Sequence, residues 1–257
     1  MGTDYGEDSD FVRVRVRGLP PNADELPYID RARIARPARR EVWALDDEPL
    51  IAGFDVSRGG SAWNVIRFRK GLNGRIRPPI RITGERGRDH DLLVGACAEL
   101  LQDKRCGHRT DMMFVDSAFG APIVERLRVL SHKNFVEINF GGKSSDRHEE
   151  NMRAYMYARA KDWLLKGGIP ADDEDLAQQC CLCGHHINRS GRLVLESEAD
   201  LKKRGEASSD DADAFVLNFS RRVAPLQPEY HPQPKSCLTF MTGPEHDDFW
   251  READSWN

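Results

Sequence analysis

The sequence has no run of apolar residues approaching the ~20 that a membrane-spanning helix needs. With a mean hydropathy of −0.62 over 257 residues, it does not read as an integral membrane protein. The first residues, MGTDYGEDSDFVRVRV, are acidic and then alternating, with no apolar stretch that would mark a signal peptide. Cysteine is scarce: six residues are too few for a disulfide scaffold and suit a reducing cytosol. Neither charge sign dominates. The 38 Lys and Arg against 42 Asp and Glu leave a net charge of −4, which excludes a uniformly basic nucleic-acid coat but leaves room for a local basic groove. A phosphate loop is also missing. Gly142-Lys143-Ser144 has the right ending, but the leading glycine position is Glu137, in a stretch that reads as a strand. No internal repeat is visible.

What is present reads as one α/β domain with flanks. Residues 1–48 hold one alternating stretch, Phe11 to Arg17, and then a loop rich in Pro, Asp and Arg; they predict an extended arm. The domain is expected over 49–224. Leu50 to Val56 reads as a buried strand, Trp63 to Arg69 and Ile76 to Ile82 as antiparallel partners, with Pro78-Pro79 marking the third as an edge. Asp89 to Leu101 shows helical spacing, Met112 to Asp116 a buried strand, Pro122 to Leu130 a helix, and Phe135 to Phe140 a fifth strand. Glu149 to Lys166 predicts a long helix stopped by Gly167-Gly168, and Asn188-Arg189-Ser190-Gly191 predicts a hairpin turn. Ser208-Ser209 is expected to cap a last helix from Asp210 to Phe219. Residues 225–257 are expected to be an irregular tail. The order predicts a mixed five-stranded sheet, antiparallel over its first three strands and parallel afterwards, flanked by helices.

Two strands that read as buried end in aspartate, Asp55 and Asp116, and Asp210-Asp211-Ala212-Asp213 opens the last helix. In open α/β sheets, ligands gather at the carboxyl ends of strands. One aspartate there ordinarily caps a loop. Three converging carboxylates would repel one another unless cations sat between them, and hard cations such as Mg²⁺ or Mn²⁺ take oxygen ligands. Two such ions can clamp the attacking and leaving oxygens of a phosphodiester.

The stretches YGEDSDFVRVRVRGLPP (5–21), LIAGFDVSRGGSAWNVIRFRKG (50–71), MMFVDSAFGAPIVERLRVL (112–130), FVEINFGGKSSD (135–146) and GRLVLESEADLKKRGEASSDDADAFVLNF (191–219) together resemble the C-terminal nuclease domain of the large terminase subunit of tailed phages. The resemblance implies an RNase H-like fold and a Mg/Mn-dependent endonuclease that cuts double-stranded DNA concatemers during genome packaging. It implies Asp55, Asp116 and Asp210 as catalytic ligands of two divalent cations, with Asp213 as a further ligand or a helix cap. Ser61 stands where many relatives carry an additional acid, and Ser209 replaces the usual proline, loosening the approach to Asp210. DNA contacts are expected from Lys202, Lys203 and Arg204, then from Arg58 and Lys143. The chain would be the nuclease part without the ATPase motor, with residues 1–48 as the joining segment. Its partners would be DNA, the motor, the small subunit and the portal, in the cytoplasm of an infected bacterium. The alternatives are another RNase H-like nuclease, such as a resolvase or transposase core, or a weakly active docking module for portal or motor.

Other signals are set aside. Cys180 and Cys183 have CxxC spacing beside His185 and His186, but a hairpin strand points alternate side chains to opposite faces, against a zinc site. Trp63 and Trp163 are expected in the core, and Trp250 and Trp256 lie in an acidic tail. His148 reads as a surface residue.

Overall fold

The computed structural model describes residues 27–57, 60–84, 86–102 and 109–224, with only the backbone of Gly60, Ser61 and Gly84. The expected strand at Phe11 to Arg17, the tail from Pro225, and Arg58 lie outside the described residues.

A five-stranded sheet forms the centre, in the order β3-β2-β1-β4-β5. Strand β1 (Leu50–Asp55) pairs antiparallel with β2 (Gly60–Lys70), which pairs antiparallel with the edge strand β3 (Ile80–Gly84). On its other side β1 runs parallel to β4 (Met112–Asp116), and β4 parallel to β5 (Phe135–Ile138). This is the mixed sheet expected from the sequence. Strand β3 starts after Pro78-Pro79 and not at Ile76, because proline has no N–H to donate to a ladder.

Alternation along the strands divides the core into two layers. Ala52, Phe54, Met113 and Val115 pack with helices α2 (His90–Gln102) and α3 (Ser117–Val129). Ile51 and Phe114 face the opposite way, with α4 (Met152–Trp163) and, at the domain's end, the buried helix α7 (Asp210–Leu217). Gly53 lies under α7: a Cβ there would come within 2.2 Å of the Ala214 carbonyl oxygen, so only glycine lets the helix sit this close to β1. That contact fixes α7 over the strand that ends in Asp55.

Helix α1 (Arg31–Arg39) departs from the extended arm expected for residues 1–48. Asp30 caps it, its Oδ1 accepting from the Arg33 N–H at 2.6 Å, and Ile29 and Ile34 are buried in the same layer as Tyr157 and Phe215. The apolar residues of this arginine-rich stretch are few; Ile34 and Pro37 are the buried ones, and the helix packs against the segment Glu174–Cys180. Helix α3 starts five residues before Pro122, because Asp116 itself caps it. Two short helices were not foreseen, α5 (Glu174–Cys180) and α6 (Glu198–Lys203). Between them β6 (His185–Ile187) and β7 (Leu193–Leu195) form the expected hairpin. Among the described residues no helix is long and apolar enough to cross a membrane.

Candidate nuclease site

Strands β1 and β4 run parallel and end side by side, so their last residues, Asp55 and Asp116, meet at one end of the sheet. The first turn of α7 arrives at the same end. A cavity of about 640 Å³ opens there, and Asp55, Asp116 and Asp210 all line it. They share the cavity without closing into a cage: among the described residues, no group of three or more His, Cys, Asp or Glu side chains is spaced to enclose a metal ion.

Each acid is held differently. Asp210 Oδ2 accepts from the Trp63 N–H at 2.9 Å, and its other oxygen accepts from the Ser208 hydroxyl. Asp116 Oδ2 accepts from the Ala118 N–H at 3.2 Å, the helix cap of α3. Asp55 is partly buried, and no described residue donates to its carboxylate. Burial raises the Asp55 carboxyl well above its ordinary range, and the charges of Asp213, Asp116, Asp210 and Glu198 push it further. Burial also lifts Asp116 to about 6, against the Ala118 N–H that pulls it down. Asp210 is raised by burial, with Ser208 and Trp63 opposing. A cluster that resists ionisation this way is short of positive charge. Its donors are all carboxylate oxygens, the set a hard divalent cation takes.

Asp213 is not brought into the cavity wall. It is 2% exposed, and its carboxylate accepts from Ser209 Oγ at 2.6 Å, Tyr157 Oη at 3.1 Å and Arg153 Nε at 3.3 Å. Asp213, which the sequence offers as a further ligand or a helix cap, is thus held by Arg153, Tyr157 and Ser209 beside the three acids that line the cavity. Burial disfavours a charged Arg153, but Asp213 outweighs it and raises the guanidinium well above its usual range. Ser209 does not loosen the approach to Asp210, as its replacement of proline suggested; it is fully buried and bonded to Asp213. Nor does it cap α7. That cap comes from Gln179 of α5, whose Oε1 accepts from the N–H groups of Asp211 at 2.7 Å and Ala212 at 3.3 Å. Asp211 forms an ion pair with Arg67 of β2, which also reaches Asp173 at 2.6 Å.

The basic residues separate. Lys202 lines the cavity and lies 3.6 Å from Glu198. Lys203 is exposed and paired with Asp200 at 2.7 Å. Arg204 grips both oxygens of Glu196, at 2.8 and 2.9 Å, and serves the hairpin. Lys143 is exposed and outside the cavity wall. Trp63 is 38% exposed and not in the core as expected, whereas Trp163 packs on Phe215 and Phe219. Cys180 and Cys183 are buried, and the Cys183 thiol lies 3.5 Å from the Glu196 carbonyl oxygen. His148 is exposed, beside Asp146.

Two residues of the cavity lining went unmarked in the sequence: Glu198, a fourth carboxylate, and Arg153, a buried cation that pairs with Asp213. The signal for Glu198 was legible: Ser197 followed three residues later by Asp200 is a helix-start pattern, and it caps α6 in the structure.

No family model matches the chain, and no curated protein matches it. Solved structures do match. The nuclease domain of the large terminase subunit of bacterial virus Sf6 superposes with a TM-score of 0.61 at 15% identity, over 76% of this chain and 99% of that one. A variant of that domain with manganese and beta-thujaplicinol gives a TM-score of 0.59 at 15% identity, over 76% of this chain and 99% of that one. The large terminase nuclease from thermophilic phage G20c gives 0.50 at 14% identity, over 69% of this chain and 84% of that one. At these identities the likeness establishes the fold: the sheet and its helices are those of the terminase nuclease domains, an RNase H-like arrangement.

Proposed function

We propose that this chain is a divalent-cation-dependent DNA endonuclease of the terminase type, cutting double-stranded concatemers during phage genome packaging. The observation that carries the reading is that Asp55, Asp116 and Asp210, from three separate elements, line one cavity at the carboxyl end of a terminase-like sheet. A fold neighbour that holds manganese supports a cation as cofactor.

Asp55, Asp116 and Asp210 would hold the cations, Mg²⁺ or Mn²⁺ and two in number. The metal supplies an activated water and charge stabilisation at the leaving oxygen. The chain's own part is to fix the acids. Trp63 and Ser208 orient Asp210, and the Ala118 N–H orients Asp116. Asp55 ends β1, the strand that lies between β2 and β4. Lys202 at the rim of the cavity is the first contact for a phosphate, and Lys203, Lys143 and Arg58 are further candidates along the backbone, a mode of binding that is largely blind to sequence. Arg204 is committed to Glu196 and contributes less. Residues 49–224 would be the catalytic domain; the ATPase motor, the small subunit and the portal would be its partners in the host cytoplasm.

The test is plasmid cleavage across a series of divalent ions. The purified chain should nick and linearise supercoiled DNA with Mn²⁺, and a chelator should stop it. Asp55→Asn, Asp116→Asn and Asp210→Asn should each fold and lose on the order of 10²-fold or more in rate. Cleavage unaffected by these three changes would refute the assignment.

A further inference from the structure

We infer that the arginine row of helix α1, Arg33, Arg36 and Arg39, grips the phosphate backbone of duplex DNA outside the cleavage cavity. The inference rests on the reading of DNA as the substrate, and adds to it a second contact surface on another element.

The stability of the helix does not account for these charges. Ile34 and Pro37 are the residues that α1 buries; Arg31, Arg36 and Arg39 are exposed, and Arg33 is half-buried. Like charges three residues apart on a helix repel. Arg33, Arg36 and Arg39 repeat that spacing twice, with no acid among the residues of the helix. Arg31 and Arg33 also stand in the first turn, the end where the helix dipole disfavours a cation. Among the described residues, none of these four guanidinium groups has a hydrogen bond or an ion pair. Two acids close by are already engaged: Asp30 accepts from the Arg33 N–H as the cap, and Asp173 is held by Arg67. The next arginine, Arg40, is different, because its guanidinium donates to the carbonyls of Leu164 and Gly167. Lys161 of α4 extends the basic surface. Burial lowers its ammonium and Arg33 lowers it further, against the charges of Asp30 and Asp162.

The row has the form of a backbone contact. At 1.5 Å per residue it spans about 9 Å, the length of about three base pairs at 3.4 Å each. A guanidinium matches a phosphate through paired donors, and such contacts position a duplex without reading its bases. The row also begins beside the cavity's own wall. Tyr28, two residues before the cap, donates its N–H to the Cys183 carbonyl at 2.8 Å, and its ring meets that of His185 on β6. His185 pairs with Leu195 of β7, which lines the cavity. A duplex that leaves the cavity over this hairpin runs on to α1.

The test is binding of a fluorescently labelled duplex to the full chain in chelator, followed by anisotropy across a salt series, with circular dichroism as the check on folding. Arg33→Gln, Arg36→Gln and Arg39→Gln together keep good helix formers and leave Ile34 and Pro37 in place. At about 0.9 per lost contact, this variant should lower the slope of log affinity against log salt by about 2 to 3 and weaken binding about tenfold or more. In plasmid cleavage with Mn²⁺ the loss should appear in KM, with kcat retained at saturating DNA. Arg109→Gln, Arg126→Gln and Lys133→Gln together remove the same charge at the opposite end of the sheet, where β4 and β5 begin, and should bind DNA as the native chain does. Native affinity and slope in the α1 variant would overturn the inference and leave the row to an acidic protein partner. Equal weakening in both variants would overturn it too, by showing that only bulk charge matters. A native chain that binds no duplex would instead overturn the DNA reading beneath it.

Discussion

The backbone N–H of Trp63 on β2 donates to Asp210 Oδ2 on α7 at 2.9 Å, across 147 residues of chain. The third acid of the cavity is thus tied to the sheet that carries the first. Its helix is held from a second side as well, because Gln179 of α5 supplies the N-terminal cap that Ser209 does not.

Gln179→Met keeps the size of the side chain and removes the acceptor. Two buried N–H groups then lose their partner, and the chain should be destabilised by about 1–2 kcal/mol in urea denaturation. Gln179→Glu keeps an acceptor and places a negative charge at a helix N-terminus, where it is favourable; it should retain native stability. Full stability in the methionine variant would show that the cap carries no weight.

Asp213 and Asp210 should behave oppositely when removed. Asp213→Ala leaves the buried Arg153 without its carboxylate, and breaking such a pair costs about 3–5 kcal/mol. Asp210→Asn relieves repulsion among the cavity acids and should cost less than about 1 kcal/mol while abolishing cleavage. Equilibrium denaturation separates the two; an Asp213→Ala chain as stable as the native one would contradict the packing role.

Acid should stabilise this end of the fold when no divalent ion is present. Asp116 titrates near 6 in the folded chain, raised by burial from about 4 in the unfolded one. A carboxyl raised on folding contributes its stability fully below the unfolded value and loses it as pH climbs through the folded value. The contribution is therefore present at pH 4 and gone above about pH 6, and Asp55, raised in the same direction, adds to it. Asp173 and Glu196 are lowered on folding and pull the slope the other way, so the measurement is a difference: in chelator, the change in stability from pH 4 to 6 should be more positive in Asp116→Asn than in the native chain. The same pH slope in both chains would contradict the assignment.

DNA contacts can be counted from salt. Lys202→Ala and Lys143→Ala should each lower the slope of log affinity against log salt by about 0.9. Arg204→Ala removes the clamp on Glu196 and should leave the slope in place, with a stability loss of about 1 kcal/mol. A slope unchanged by Lys202→Ala would remove that residue from the DNA path.

The sheet was legible because its strands announce themselves: an apolar run from Leu50 to Phe54 closed by Asp55, and another from Met112 to Val115 closed by Asp116. The succession of elements along the chain gave the mixed pairing, and the gathering of ligands at the carboxyl ends of strands gave the side on which the acids fall. What was not legible depends on contacts distant in the chain. The buried charge of Arg67 is tolerable only because Asp173 and Asp211 meet it from 106 and 144 residues away. Asp210 and Asp213 are three residues apart and alike in sequence; only packing shows that one lines the cavity and the other lies behind it on Arg153. Helix α1 hid among arginines because only Ile34 and Pro37 of it are buried, and its packing partner, α5, lies far along the chain.

Anomalous diffraction from crystals of the full chain soaked in Mn²⁺ decides whether the three acids hold a cation. Manganese is expected in the cavity, ligated by Asp55, Asp116 and Asp210. Manganese bound elsewhere, or no manganese in crystals of a protein that cuts DNA with Mn²⁺ in solution, would contradict it.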